Sequence, residues 1–134
     1  MATALERLTY ESTTGSTGSL LNLATILAES HRANVRDGLT GALAAHRDRY
    51  FQIVEGPGSA LDALLLRLAR DPRHKTIRIL DRRRVHDRLF SQWSMASPTL
   101  TPPVEARLDG LLGAEIDADR VLQILQDALA LPTG

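Results

Sequence analysis

No cysteine occurs among the 134 residues, which excludes disulfides, thiolate nucleophiles and the usual structural zinc sites, and fits a reducing compartment. No apolar run approaches the roughly 18 residues a membrane-spanning helix needs, and Met1-Ala2-Thr3-Ala4-Leu5-Glu6 lacks a long apolar core. The expectation is a soluble, cytoplasmic protein with no membrane partner. Charge of one sign is also missing: Lys plus Arg and Asp plus Glu both number 16, so no global field favours nucleic acid. Arg82-Arg83-Arg84, near a strand end, is a local exception and reads as a solvated face, because the aromatic platform of an RNA-binding strand surface is lacking. His31, His46, His74 and His86 are scattered without paired ligand spacing, so no metal is expected. Ser12, Ser30 and Ser94 lack a glycine-framed elbow, and Gly15-Ser16-Thr17-Gly18 is neither a P-loop nor a dinucleotide fingerprint.

What is present fits about one domain, long enough for a real core. Residues about 4–12 read as a first strand, and a helix begins near Ser19 with Leu20, Leu23, Ala24, Leu27 and Ser30 or His31 at helical spacing, ending near Ala33-Asn34. Residues about 38–46 and 49–56 pair as a hairpin across Arg47-Asp48, neither of them the glycine a tight turn prefers. Gly56-Pro57-Gly58-Ser59 leads into a second helix with Leu61, Leu64, Leu65 and Leu68 as its stripe, stopped by Pro72. Thr76-Ile77-Arg78-Ile79-Leu80 alternates as a fourth strand and residues about 89–97 as a fifth. Two helical segments follow, about 104–113 and 118–130, the second with Val121, Leu122, Leu125, Ala128 and Leu129 on one side. The order βαββαββ predicts an α+β, ferredoxin-like sandwich with two appended C-terminal helices, in which the first and third strands are central neighbours. The expected division is 1–97 and a C-terminal extension, 98–134, packed on the same domain.

Four side chains stand out in the strands. Alternation places Leu8, Tyr10 and Ser12 on one face of their strand, Tyr50, Gln52 and Val54 on one face of theirs, and Trp93 on the same face as Met95. A phenol and a carboxamide aimed at apolar faces each need a polar partner, where a structural core would use Val or Leu. Asn34 ends the first helix, as a C-cap or as a polar group directed at a ligand. Arg67 and Asp71, four apart, share a face away from the leucine stripe, an arrangement that also describes a surface ion pair. Trp93 and Met95, taken alone, suit core filling equally well.

Together these stretches resemble a BLUF domain, the blue-light sensor using flavin. The resemblance runs from Leu8 to Met95, through Leu8-Thr9-Tyr10-Glu11-Ser12, Asn34 with Gly38-Leu39-Thr40-Gly41-Ala42-Leu43, Phe51-Gln52-Ile53-Val54-Glu55-Gly56, Asp71-Pro72-Arg73-His74 and Arg88-Leu89-Phe90 leading to Trp93-Ser94-Met95. It implies a flavin, FAD or else FMN or riboflavin, held non-covalently between the first two helices with its edge toward Tyr10 and Gln52. Asn34 would bond the polar edge of the ring; Arg67 and Asp71 would contact its pyrimidine or ribityl side. Ile26 and Ile53 would be apolar ring contacts, and Ser12 and His74 would complete the binding set. Ala33 stands where many members carry Asn or His, so one polar contact is absent.

The resemblance further implies that Tyr10 gives an electron and then a proton, that Gln52 rotates or tautomerises with a red-shifted absorption, and that Trp93 or Met95 is displaced. Output would be a population shift read by an unidentified downstream protein, not catalysis, in a homodimer or higher oligomer. Two other readings share the fold: a small acylphosphatase-like hydrolase and a flavin-free interaction module.

Overall fold

The computed structural model describes residues 4–13, 20–70, 76–91, 96–98, 101–112 and 115–129, with only the backbone at 20–24 and 26. Expectations that fall on the glycine-rich loop 14–19, on Asp71, His74, Trp93 and Met95, and on the Ile26 side chain lie outside the described residues. The elements are β1 (Leu5–Thr13), α1 (Leu20–Asp37), β2 (Thr40–His46), β3 (Arg49–Pro57), α2 (Gly58–Ala69), β4 (Arg78–Arg84), α3 (Pro102–Leu112) and α4 (Ala118–Leu129). The four strands form one antiparallel sheet in the order β2-β3-β1-β4, the ferredoxin-like arrangement, with β1 and β3 central.

Strand alternation divides the core between two faces. On one, Leu8, Tyr10 and Val54 pack with Leu39 and with Leu61, Leu64 and Leu68 of α2, while Leu43 and Tyr50 pack with Leu27 of α1. On the other, Ala42, Ala44, Phe51 and Ile53 meet α3 through Val104, Leu108 and Leu111 and α4 through Val121, Ile124, Leu125 and Ala128. The C-terminal helices therefore cover the sheet face that α1 and α2 leave open. In α4 the buried set 121, 124, 125, 128 is an i, i+3, i+4, i+7 stripe. Ile124 belongs to it, and Leu122 and Leu129, expected there, sit half-buried at its flanks.

Two turns explain how neighbouring elements meet. Gly38 has φ +71° immediately after α1, and Leu39 N–H donates to Asn34 O at 2.8 Å, the six-to-one bond of a Schellman stop. That stop lies four residues beyond the expected helix end, so Asn34 is inside the last turn rather than its cap. The β2–β3 hairpin closes across Arg47-Asp48 as expected, with Arg47 taking the left-handed conformation (φ +57°) that a glycine would otherwise supply.

The fourth and fifth strands depart from expectation. β4 begins at Arg78 and includes the arginine run, with an irregularity opposite Thr9/Tyr10. Arg82 is not merely solvated: it donates to Glu6 and Asp62, both at 2.7 Å, and to Gly58 O at 3.1 Å, while Arg83 bonds Asp81 at 2.6 Å. Charged side chains on an edge strand both satisfy their counter-charges and discourage pairing with another chain. Of the fifth strand, the described residues hold one parallel bridge, Ala96 to Ala42, with Ala96 N–H donating to Gly41 O and Leu43 N–H to Ala96 O.

Candidate functional site

The site is built on the two central strands. β1 and β3 pair so that Tyr10 lies opposite Gln52, two residues from the Ser12–Tyr50 pair on the same face. The Tyr10 hydroxyl donates to Gln52 Oε1. Both residues are essentially closed to solvent, at 0% and 2% exposure. Burial drives the phenol pKa far above its ordinary value of 10.0, and the positive charge of Arg67 opposes this shift. The phenol is therefore held neutral as a donor, and Gln52 accepts from it at Oε1.

The ends of the two covering helices supply the remaining groups. Asn34 is 1% exposed in the last turn of α1, and its backbone carbonyl holds Leu39, which packs in the same cluster as Tyr10. Arg67 of α2 donates through Nη1 to Asp37 of α1 at 3.0 Å. Asp37, which spacing did not single out, is thus the link between the two helices; only its place in the Asp37-Gly38 turn marked it. Arg36 also pairs with it at 2.8 Å, and these bonds, Arg36 first and Arg67 after, hold its carboxyl below the usual range. Asp71, the expected companion of Arg67, lies outside the described residues, in which α2 closes at Ala69 with Arg70 as its C-cap.

Ile53 does not join this group. It follows Gln52 directly in an extended strand, so the period of two turns it to the opposite face, into the core shared with α3 and α4. Glu55 is a second residue that spacing missed: fully buried, it pairs with Arg7 at 2.8 Å and accepts from Phe90 N–H at 2.8 Å. An acid directly after the apolar pair Ile53-Val54 was the available signal.

These groups suit a flavin. The isoalloxazine edge carries carbonyl and imine acceptors beside an N–H donor, and buried Gln52 and Asn34 carboxamides each offer both kinds of partner. Arg67, bonded to Asp37 where α2 meets α1, carries a charge that opposes the rise of the Tyr10 pKa. The apolar surface of Leu8, Leu39, Val54 and the α2 leucines flanks the polar pair.

The comparisons agree with this geometry. The family model for BLUF, described as sensors of blue-light using FAD, matches residues 5–96. Photoactivated adenylate cyclase subunit beta of Euglena gracilis is 33% identical over 98 residues, 72% of this chain and 11% of that protein. Its counterpart in Euglena longa is 30% identical over 96 residues, again 11% of its length. The chain thus spans about a tenth of the length of these curated relatives. Among solved structures, BlrB, a BLUF protein in its dark state, is 31% identical with a TM-score of 0.76 and covers 96% of this chain and 97% of its own. A bacterial light-regulated adenylyl cyclase is 29% identical with a TM-score of 0.75, over 89% of this chain and 36% of that one. With a hydrogen-bonded tyrosine and glutamine buried at the centre of the sheet and the family match running from β1 to the residue that bridges β2, the chain belongs to the BLUF family and is a flavin-binding photoreceptor for blue light.

Proposed function

We propose that Tyr10 is the electron and proton donor of this photoreceptor and Gln52 its hydrogen-bond switch. The observation that carries the reading is the buried Tyr10–Gln52 hydrogen bond at the meeting of the two central strands. A bound flavin supplies a blue-absorbing ring whose excited state is a strong one-electron oxidant. The phenol is neutral and water-excluded, and the acceptor already in place for its proton is Gln52 Oε1. A carboxamide that receives that proton and relaxes by rotation or tautomerisation exchanges the donor and acceptor ends it presents, and so the bonds it makes to its surroundings.

In this reading residues 1–97 are the light-sensing unit and 98–134 the output extension, acting on a partner by a shift of populations rather than by catalysis. Asn34 holds the polar edge of the ring and Arg67 its pyrimidine or ribityl side, with Ser12 beside Tyr10. Asp71, His74 and Ile26 are assigned to flavin contact by the family pattern, and Trp93 and Met95 to the outward route. A second copy of the chain and a downstream protein are the proposed partners, and the cytoplasm the proposed compartment. Among the described residues no helix is long and apolar enough to cross a membrane.

An absorption spectrum of the flavin-loaded protein before and after blue light tests the proposal. A red shift that reverses in the dark is expected. A colourless preparation in the presence of flavin, or a spectrum unmoved by light, would refute it.

A further inference from the structure

The topology sets the chain a crossing problem. β4 lies on one edge of the sheet and Ala96 pairs with β2 on the other, so the connection from residue 85 to residue 96 must pass β1 and β3. Its described part is fastened to each strand in turn. At β1, Val85 N–H donates to Leu5 O at 3.0 Å and Arg7 reaches Asp87 O at 3.5 Å. At β3, Glu55 accepts from Leu89 N–H at 2.9 and 3.0 Å and from Phe90 N–H at 2.8 Å. Arg88 then reaches toward β2, donating to Thr40 Oγ1 at 2.9 Å, to Gly38 O at 2.8 Å and to Glu55 O at 3.1 Å. Phe90, closed to solvent, enters the core formed with α3 and α4.

Glu55 is the pivot of this fastening. A wholly buried carboxylate persists only when charge and lone pairs are met, and here Arg7 Nε at 2.8 Å meets the charge while two consecutive amides take the oxygens. On the same strand, three residues earlier, stands Gln52. The odd offset puts Gln52 on the face of α1 and α2 and Glu55 on the face of α3 and α4. One strand therefore carries the switch on one side and the grip on the crossover on the other.

We propose that Glu55 is a positioning residue that passes displacement of β3 to the crossover, and through Phe90 to α3 and α4. The inference rests on the photoreceptor reading and adds to it a route on the described residues. Short charge-assisted bonds to two adjacent amides make the crossover follow the strand, whereas apolar packing alone lets one layer slide on the other.

The test is hydrogen–deuterium exchange on the flavin-loaded full chain, dark and lit, with the absorption spectrum recorded on the same sample. In the parent protein, slow dark exchange at the Leu89 and Phe90 amides and a light-dependent change in α3 and α4 are expected. Glu55→Gln removes the charge facing Arg7 and replaces one acceptor with a donor. It is expected to keep the red shift, raise dark exchange at the two amides about tenfold, and reduce the light-dependent change in α3 and α4 by about threefold or more. Arg88→Met leaves Glu55 in place, loosens the tie to β2, and is expected to reduce the same change. The proposal is overturned by fast dark exchange of the two amides in the parent, by a parent that red-shifts with no change in α3 and α4, or by an undiminished change in either folded variant. Loss of the red shift in Glu55→Gln overturns it as well, by placing Glu55 in the photochemistry. A parent without a red shift refutes the photoreceptor reading itself, and is told apart from the other outcomes by the spectrum.

Discussion

Tyr10 and Gln52 are register partners across the β1–β3 ladder, and the phenol donates to the carboxamide oxygen in the closed interior between them. Directly opposed residues on one face of an antiparallel pair stand within side-chain reach, so two central strands suffice to build the contact. Tyr10→Phe is expected to abolish the light-induced red shift and to cost about 1–2 kcal/mol, because Gln52 Oε1 loses a buried donor. Gln52→Leu is expected to abolish it too. Difference spectra and urea melts check both, and a normal photocycle in either variant removes the assigned roles.

Alkaline pH is a second probe of the same phenol. Burial raises the native pKa of Tyr10 well above its unfolded value of about 10, so above that pH the folded state binds more protons than the unfolded one. The stability this proton carries is fully present below pH about 10 and declines as pH rises beyond it. Urea midpoints at about pH 9 and about pH 11 should fall in that order in the parent and converge in Tyr10→Phe.

Acid pH reports on the contact between the β2–β3 turn and α3. Asp109 accepts from Arg47 Nε at 2.8 Å and is bonded to His46 Nε2 at 2.8 Å, and these bonds, Arg47 first, lower its carboxyl from 3.8 to about 2. A depressed carboxyl contributes stability above its unfolded pKa and loses it as pH falls through the native one. Thermal melts of Asp109→Asn are therefore expected to show a shallower decline than the parent between about pH 4 and about pH 2.

Arg67 tests the cofactor side. Its guanidinium lies where α2 meets α1 through Asp37 and where its charge is felt by Tyr10. Arg67→Met is expected to weaken flavin binding by about tenfold, the loss of one charge-assisted contact, with Arg67→Lys falling between. Fluorescence titration with FAD measures this, and an unchanged affinity excludes Arg67 from the binding set.

In α4, Leu125 is wholly buried and Leu122 flanks the stripe. Leu125→Ala is expected to cost about 2–5 kcal/mol and Leu122→Ala about 1 kcal/mol, by urea denaturation. Equal costs would mean that α4 is not seated on the sheet in this orientation.

Much of the site was legible where it rests on local periodicity. Period-two alternation put Tyr10 and Gln52 on interior faces, and the order of the elements made their strands central neighbours. The same alternation argues against Ile53 as a ring contact, since it adjoins Gln52, and the core with α3 and α4 bears that out. Helix spacing found the α2 leucines, but the stripe of α4 was shifted by one flank, because Leu122, Ile124 and Leu129 differ in burial only through the sheet they meet. Spacing along α2 pointed from Arg67 only to its own helix, and Asp37, thirty residues away in the chain, is a partner that the fold brings to Arg67.

The amino-acid sequence alone determined the family pattern, the α+β class and the polar pair in apolar strands, because alternation and helical stripes are properties of neighbours along the chain. Tertiary structure decided the β1–β3 register that joins Tyr10 to Gln52, the face covered by α3 and α4, the hold of Asp37 on Arg67, and the grip of Glu55 on the crossover. Each of these depends on residues far apart in sequence, whose meeting is fixed by strand pairing and burial rather than by spacing.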